Sequence, residues 1–207
     1  MSQARETSTA SSEPTTTAPA EAEPATQLSS VTYRIDNTRS EASFEMREEL
    51  FGQPTIVKGV TGKVEGSIIA DWSNPSKSRL SVIEIDAADL RTDNERRNGA
   101  IRRFILQSEQ YPKIVFEPTD MLDMSSEPVR VGSKLQFKIS GKLTVRNITR
   151  SVTFDITVNA DSEREISGTA ETVVRWRDFE LSIPNVPGVA NVSEEAKLKL
   201  DFVAVKQ

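Results

Sequence analysis

The 207-residue chain has no cysteine and no histidine. Without them there can be no thiol nucleophile, Ser-His-Asp triad, zinc finger, haem axial histidine or disulfide framework. A metal site would have to be all-oxygen, of the calcium or magnesium kind. Positive charge is also short. The 26 Lys and Arg against 31 Asp and Glu give a net charge of -5, which offers nucleic acid no electrostatic footprint. Long apolar runs are missing as well: no window approaches the roughly 18 consecutive apolar residues of a membrane helix. The length suits one domain of ordinary size or two small ones.

The apolar residues are unevenly shared. Met1 to Gln27 contains no Val, Ile, Leu, Phe, Trp or Tyr, and 23 of those 27 residues are Ser, Thr, Ala, Pro or Glu. Such a segment buries too little apolar surface to offset the entropy of ordering. A disordered tail over residues 1–28 is therefore expected, ahead of one domain over residues 29–207. The tail takes one Arg and four Glu, leaving a nearly neutral remainder with 25 basic and 27 acidic residues. It has no apolar core after a basic start, so it does not read as a secretory signal. Its composition suits a plain tail on a cytoplasmic protein. It equally suits a spacer, reaching roughly 30 Å as a flexible coil, from a membrane anchor ahead of it.

From Val31 onward the dominant period is two. Ala42, Phe44 and Met46 alternate with polar neighbours, as do Val60, Gly62, Val64, Gly66 and Ile68. The same holds for Leu135–Val145 at odd positions, Val152–Val158 at even positions, Ile166–Trp176, and Leu198–Ala204. Leu80–Ile85 and Lys113–Glu117 are shorter runs rich in β-branched residues. Each run reads as a strand with one dry and one wet face. About eight such strands suit an antiparallel sheet closed into a barrel or folded into a sandwich. The Lys-, Thr- and Glu-rich outer faces are unlike a lipid-facing barrel. Gly59, Gly62, Gly66, Gly141 and Gly168 fall inside strands, where strong curvature calls for bulges and bends, and this favours the barrel.

One segment breaks the period. Thr92-Asp93-Asn94-Glu95 has the form of a capping box and opens a helix over about 93–106, with Ala100, Ile101, Phe104 and Ile105 on one stripe. Tyr111-Pro112 then forces an extended restart. A lone amphipathic helix in an all-β chain is placed to cover one end of the barrel. The irregular stretch Arg177–Glu195, with two prolines, is expected across the rim from it.

Several landmarks resemble those of the YceI-like family of polyisoprenoid-binding, lipocalin-like proteins. They are Tyr33-Arg34-Ile35-Asp36 followed by Ser40–Phe44, and Gly59–Gly66 followed by Asp71. Next come Arg96-Arg97-Asn98 through Tyr111–Phe116, and Gly141–Thr149. Asp178-Phe179-Glu180-Leu181 with Pro184 and Pro187-Gly188 completes the series. The resemblance covers roughly Val31 to Val205. It implies an eight-stranded antiparallel barrel with a capping helix, holding an isoprenoid or related amphiphile outside the cytoplasm. It also admits a homodimer. The chain departs from the family pattern at Asn98 (usually Asp), Ala100 (His in many members), Asn147 (the turn Gly) and Glu180 (the Gly after Asp-Phe).

Non-enzymatic binding, transport or sequestration of a long apolar ligand, an isoprenoid lipid or quinone, is the function expected. The alternative is an interaction or stress-response module whose barrel is fully packed. The expected lining comprises Phe44, Met46, Val64, Ile68, Ile101, Phe104, Phe116, Phe137, Ile139, Phe154, Ile156, Trp176, Phe179 and Phe202. Arg97 and Arg102 are the candidate head-group contacts. No cofactor or metal is expected, apart from a bound isoprenoid-type lipid. Periplasmic or extracellular placement, with or without a tether, follows from the resemblance; cytoplasmic placement is the alternative. Asp123, Asp178, Glu194 and Glu195 show no spacing that would put two carboxylates on one pocket wall.

Overall fold

The computed structural model describes residues 30–207, so the tail expected over 1–28 lies outside the described residues. Twelve of the thirteen β segments join end to end into eight barrel strands. Strand β1 is Ser30–Ile35 with Glu41–Leu50, and β2 is Gln53–Thr61, Val64–Glu65 and Ser67–Asp71. Strand β3 is Arg79–Leu80 with Ile83–Asp86. Then follow β4 (Lys113–Leu122), β5 (Lys134–Val145), β6 (Ile148–Ser162), β7 (Glu165–Arg175) and β8 (Glu195–Lys206). Each pairs antiparallel with the next. Strand β8 pairs back with both parts of β1, and that closes the ring. Closure gives each strand two neighbours over part of its length, leaving less free edge than an open sheet of this length would.

The alternation read in the sequence is what drives this arrangement. On β5, Phe137, Ile139, Leu143 and Val145 are buried while Lys138, Lys142 and Gln136 face water. Strand β4 runs further than the expected Lys113–Glu117. It passes through Pro118, and the register with β5 shifts between Pro118 and Asp120. A bulge there accommodates a residue with no N–H to give the ladder.

One end of the barrel is plugged. Tyr33 is fully buried; its hydroxyl accepts from Trp72 Nε1 at 2.9 Å and donates to the Glu163 carbonyl at 3.0 Å. The bend in β1 sits at the same end. Asp36 accepts from the Thr38 hydroxyl at 2.6 Å and from Arg39 Nε at 2.8 Å, and Arg39 also meets Glu165 at 2.8 Å. The bonds from Thr38 and then Arg39 hold the Asp36 carboxyl down to about 2. The unfolded value is about 3.9. Its contribution to stability is therefore full above about pH 4 and is lost as pH falls through about 2. Asp36→Asn should lower the melting temperature near neutrality, and melts at falling pH should show the gap to wild type closing between about pH 4 and 2.

At the other end lies the helix, and it is not the single α-helix expected over 93–106. Helix α1 is Glu95–Ala100, and Ile101–Ile105 continues it as a π-turn, with the Leu106 N–H bonded to the Ile101 carbonyl at 2.8 Å. The cap is Asn94 in place of Thr92: its Oδ1 accepts from the N–H groups of Arg96 and Arg97. Thr92 and Glu95 instead bind the buried Asn98 side chain. Its Oδ1 accepts from Thr92 N–H (2.7 Å) and hydroxyl (2.8 Å), and its Nδ2 donates to Glu95 (3.2 Å). In the β5–β6 hairpin turn the positive φ (58°) falls on Arg146. Arg146 thereby reaches the Ile105 carbonyl at 3.5 Å and stacks over Tyr111 at 5.8 Å, tying hairpin to helix.

Candidate functional site

The interior is not filled. A cavity of about 620 Å³ runs from Ile35, Ile68 and Leu80 near the plug to Leu50, Ile183 and Val186 at the open end. That volume falls within the roughly 300–1,000 Å³ typical of small-molecule sites. Side chains from all eight strands make the wall. Ile156, Ala170, Leu200 and Ala42 form one level across β6, β7, β8 and β1. Phe116 and Phe154 meet edge-to-face with ring centroids 5.0 Å apart, fixing one side of the wall.

The open end is built from three pieces: α1 with its π-turn, the β1–β2 hairpin at Leu50-Phe51, and the segment from Trp176 to Val192. An ion pair joins the first two. Arg97 Nη2 donates to Glu48 at 3.0 Å and Nη1 to Asp93 at 2.7 Å, with the Glu48 side chain only 9% exposed. Glu48→Gln should loosen the helix from β1. Hydrogen–deuterium exchange across 95–105 should rise by roughly ten-fold, while exchange in β5 and β6 stays as in wild type.

The third piece begins with a 3-10 turn, Trp176–Phe179. Trp176 Nε1 donates to the Ser193 carbonyl at 2.9 Å, and Arg177 covers its ring at 4.5 Å while pairing with Glu194 at 3.2 Å. Val189–Ala190 then pairs with Leu50 and Glu49 of β1. The turn ends at Glu180 in the left-handed region, φ 54°. An L-residue pays about 1–2 kcal/mol there, and glycine does not. Glu180→Gly is expected to stabilise the protein by about 1 kcal/mol after the added chain entropy of glycine, read as a shift of the denaturation midpoint.

The structure brings most of the expected lining together. Phe44, Met46, Ile68, Ile101, Phe116, Phe137, Ile139, Phe154, Ile156, Trp176, Phe179 and Phe202 all stand on the cavity wall. Val64 does not. It is 1% exposed, pairs with Ile85 of β3 and is buried off the cavity wall. Phe104 is corrected as well, being 61% exposed. The π-turn widens the helix, so the inward stripe passes through Ile101, Ile105 and Leu106 and Phe104 rotates outward. Arg97 is on the wall but committed to Glu48 and Asp93, and Arg102 lies off the wall. The sequence reading missed Leu181, Ile183, Val186 and Val192 in the rim segment. Their signal was apolar residues among prolines, which carry no period to read.

Among the described residues, Glu48 is the one carboxylate on the wall, and Asp123, Asp178, Glu194 and Glu195 stand off it. No group of three or more potential metal-ligating side chains occurs among them, and no helix is long and apolar enough to cross a membrane.

Comparisons with known proteins place this barrel in a family. The model of the YceI-like domain matches residues 33–204. The chain belongs to the YceI-like family. A UPF0312 protein of Pseudomonas putida strain GB-1 is 23% identical over 187 residues, 87% of this chain and 90% of that one. Among solved structures, a polyisoprenoid-binding domain from Saccharophagus degradans superposes with a TM-score of 0.67 at 14% identity, covering 86% of this chain and 99% of that one. BcnA of Burkholderia cenocepacia superposes with a TM-score of 0.64 at 18% identity, covering 83% of this chain and 99% of that one. At these identities the structural likeness concerns the fold of the YceI-like barrel.

Proposed function

We propose that this YceI-like protein binds a long apolar molecule, an isoprenoid lipid or quinone, in the barrel interior, and carries or sequesters it without changing it chemically. The observation that carries the reading is the continuous apolar wall around about 620 Å³ of unfilled space. A slender chain placed there gains about 0.8 kcal/mol for each CH₂ removed from water. Affinity therefore comes from length and needs no polar motif. A polyisoprenoid-binding protein with the same fold supports the choice of ligand class. The lone wall carboxylate is neutralised by Arg97, which leaves no poised acid or base in the cavity. An interaction module with a packed barrel is the weaker reading, because packing is absent where it would be needed.

The test is mass spectrometry of an organic extract of the purified protein. A single long-chain apolar species at near-stoichiometric amount is expected. An extract without one, together with no uptake of an added isoprenoid quinone, would sink the reading.

A further inference from the structure

The charged groups on the cavity wall are few, and all but one are matched. Glu48 and Arg97 pair with each other, and Lys199 pairs with Asp201 at 2.9 Å and with Glu171 at 4.0 Å. The exception is Arg96, at the open end beside Arg97. Among the described residues its guanidinium has no carboxylate partner and donates no hydrogen bond. Asn94 stands on the same stretch of wall. Its Oδ1 is used by the N–H groups of Arg96 (3.0 Å) and Arg97 (3.2 Å), while its Nδ2 donates to no described group. The mouth of an otherwise apolar cavity therefore presents one uncompensated cation and one unused amide donor side by side.

We propose that Arg96, with Asn94 beside it, holds the anionic head group, a phosphate or carboxylate, of a long-chain amphiphile whose tail fills the cavity. The inference rests on the apolar-chain reading above and adds the head group and its orientation. A charged head cannot go to the plugged end, where the deep wall of Ile35, Ile68, Leu80 and Phe202 offers it nothing and desolvation would be costly. At the mouth it keeps part of its hydration and gains a charge-assisted, fork-shaped contact, about twice as strong as a neutral one. A neutral head gains neither. Arg97 cannot take the role, because both of its terminal nitrogens are occupied by carboxylates. Arg102 cannot either, because it lies off the wall.

The experiment uses the full chain and three chain-matched probes: geranylgeranyl monophosphate, geranylgeranoic acid and geranylgeraniol. Binding is followed by the fluorescence of Trp176 on the cavity wall. Wild type should prefer the two anions over the alcohol by about ten-fold or more. Arg96→Gln should bring that preference below about two-fold while leaving the alcohol's affinity unchanged, and Arg102→Gln should leave the preference intact. Phosphate and carboxylate falling together point to charge alone; phosphate falling further points to the guanidinium fork, and both support the assignment. A wild type that binds the alcohol as tightly as the anions overturns the head-group assignment and leaves the apolar-chain reading standing. So does a preference that survives Arg96→Gln. If none of the three probes binds, both readings fall together.

Discussion

Replacing Ala170 with Trp is expected to lower affinity for a long apolar ligand by about a hundred-fold while costing the barrel less than about 1 kcal/mol. Ala170 stands at mid-height on β7, level with Ile156 and Leu200, and its side chain borders the cavity. An indole grown from that point enters space that a ligand chain would occupy. Displacing roughly four CH₂ groups forfeits about 3 kcal/mol of burial, which is the hundred-fold. The stability arm separates the cavity from a core. In a packed interior the same insertion forces neighbours off their rotamers and costs about 1–3 kcal/mol, with no ligand to lose. Denaturant titration and a binding isotherm on the same preparation decide between them. A large fall in stability with unaltered affinity would mean that Ile156, Ala170 and Leu200 close on one another in solution.

The barrel was legible because six of its strands carry a two-residue period with one wet and one dry face, and that period fixes which side of each strand turns inward. Ten of the lining residues named on strand runs stand on the wall for this reason. The mouth was much less legible. Residues adjacent on a helix point about 100° apart, so choosing between Arg96 and Arg97 requires the helix phase over the barrel. Asn94 sets that phase by capping two residues later than the Thr92-Glu95 spacing indicated. Phe104 failed for a related reason: a stripe spaced for an α-helix is not the stripe of a π-turn. Val64 shows the limit of the period itself, which gives the inward face but not which inward side chains lie buried behind others. The rim residues Leu181, Ile183, Val186 and Val192 have no period at all, and only closure of the ring brings them over the opening.

Gly168→Ala is expected to cost the fold about 3 kcal/mol or more, the largest loss from adding a single methyl group to this chain. Gly168 lies on β7 opposite Val158 of β6 and Phe202 of β8. A Cβ built on it would stand 2.1 Å from the Thr157 carbonyl oxygen and 2.8 Å from the Phe202 ring. The ring could turn aside; the carbonyl belongs to the β6 ladder and cannot. Relief therefore requires β6 and β7 to separate, and their hydrogen bonds are lost with the packing. The two contacts can be told apart by adding Phe202→Leu to Gly168→Ala. If the carbonyl dominates, denaturant unfolding should show the double variant recovering less than half of the loss, after correction for Phe202→Leu alone. Nearly full recovery would assign the cost to the ring. A loss under about 0.5 kcal/mol would mean that the close approach of β6 to Gly168 does not exist. The outcome also bears on binding, because Phe202 lines the deep end of the cavity. A ring pushed off Gly168 has only that space to enter, so whatever population of Gly168→Ala remains folded should hold a shorter chain than wild type does.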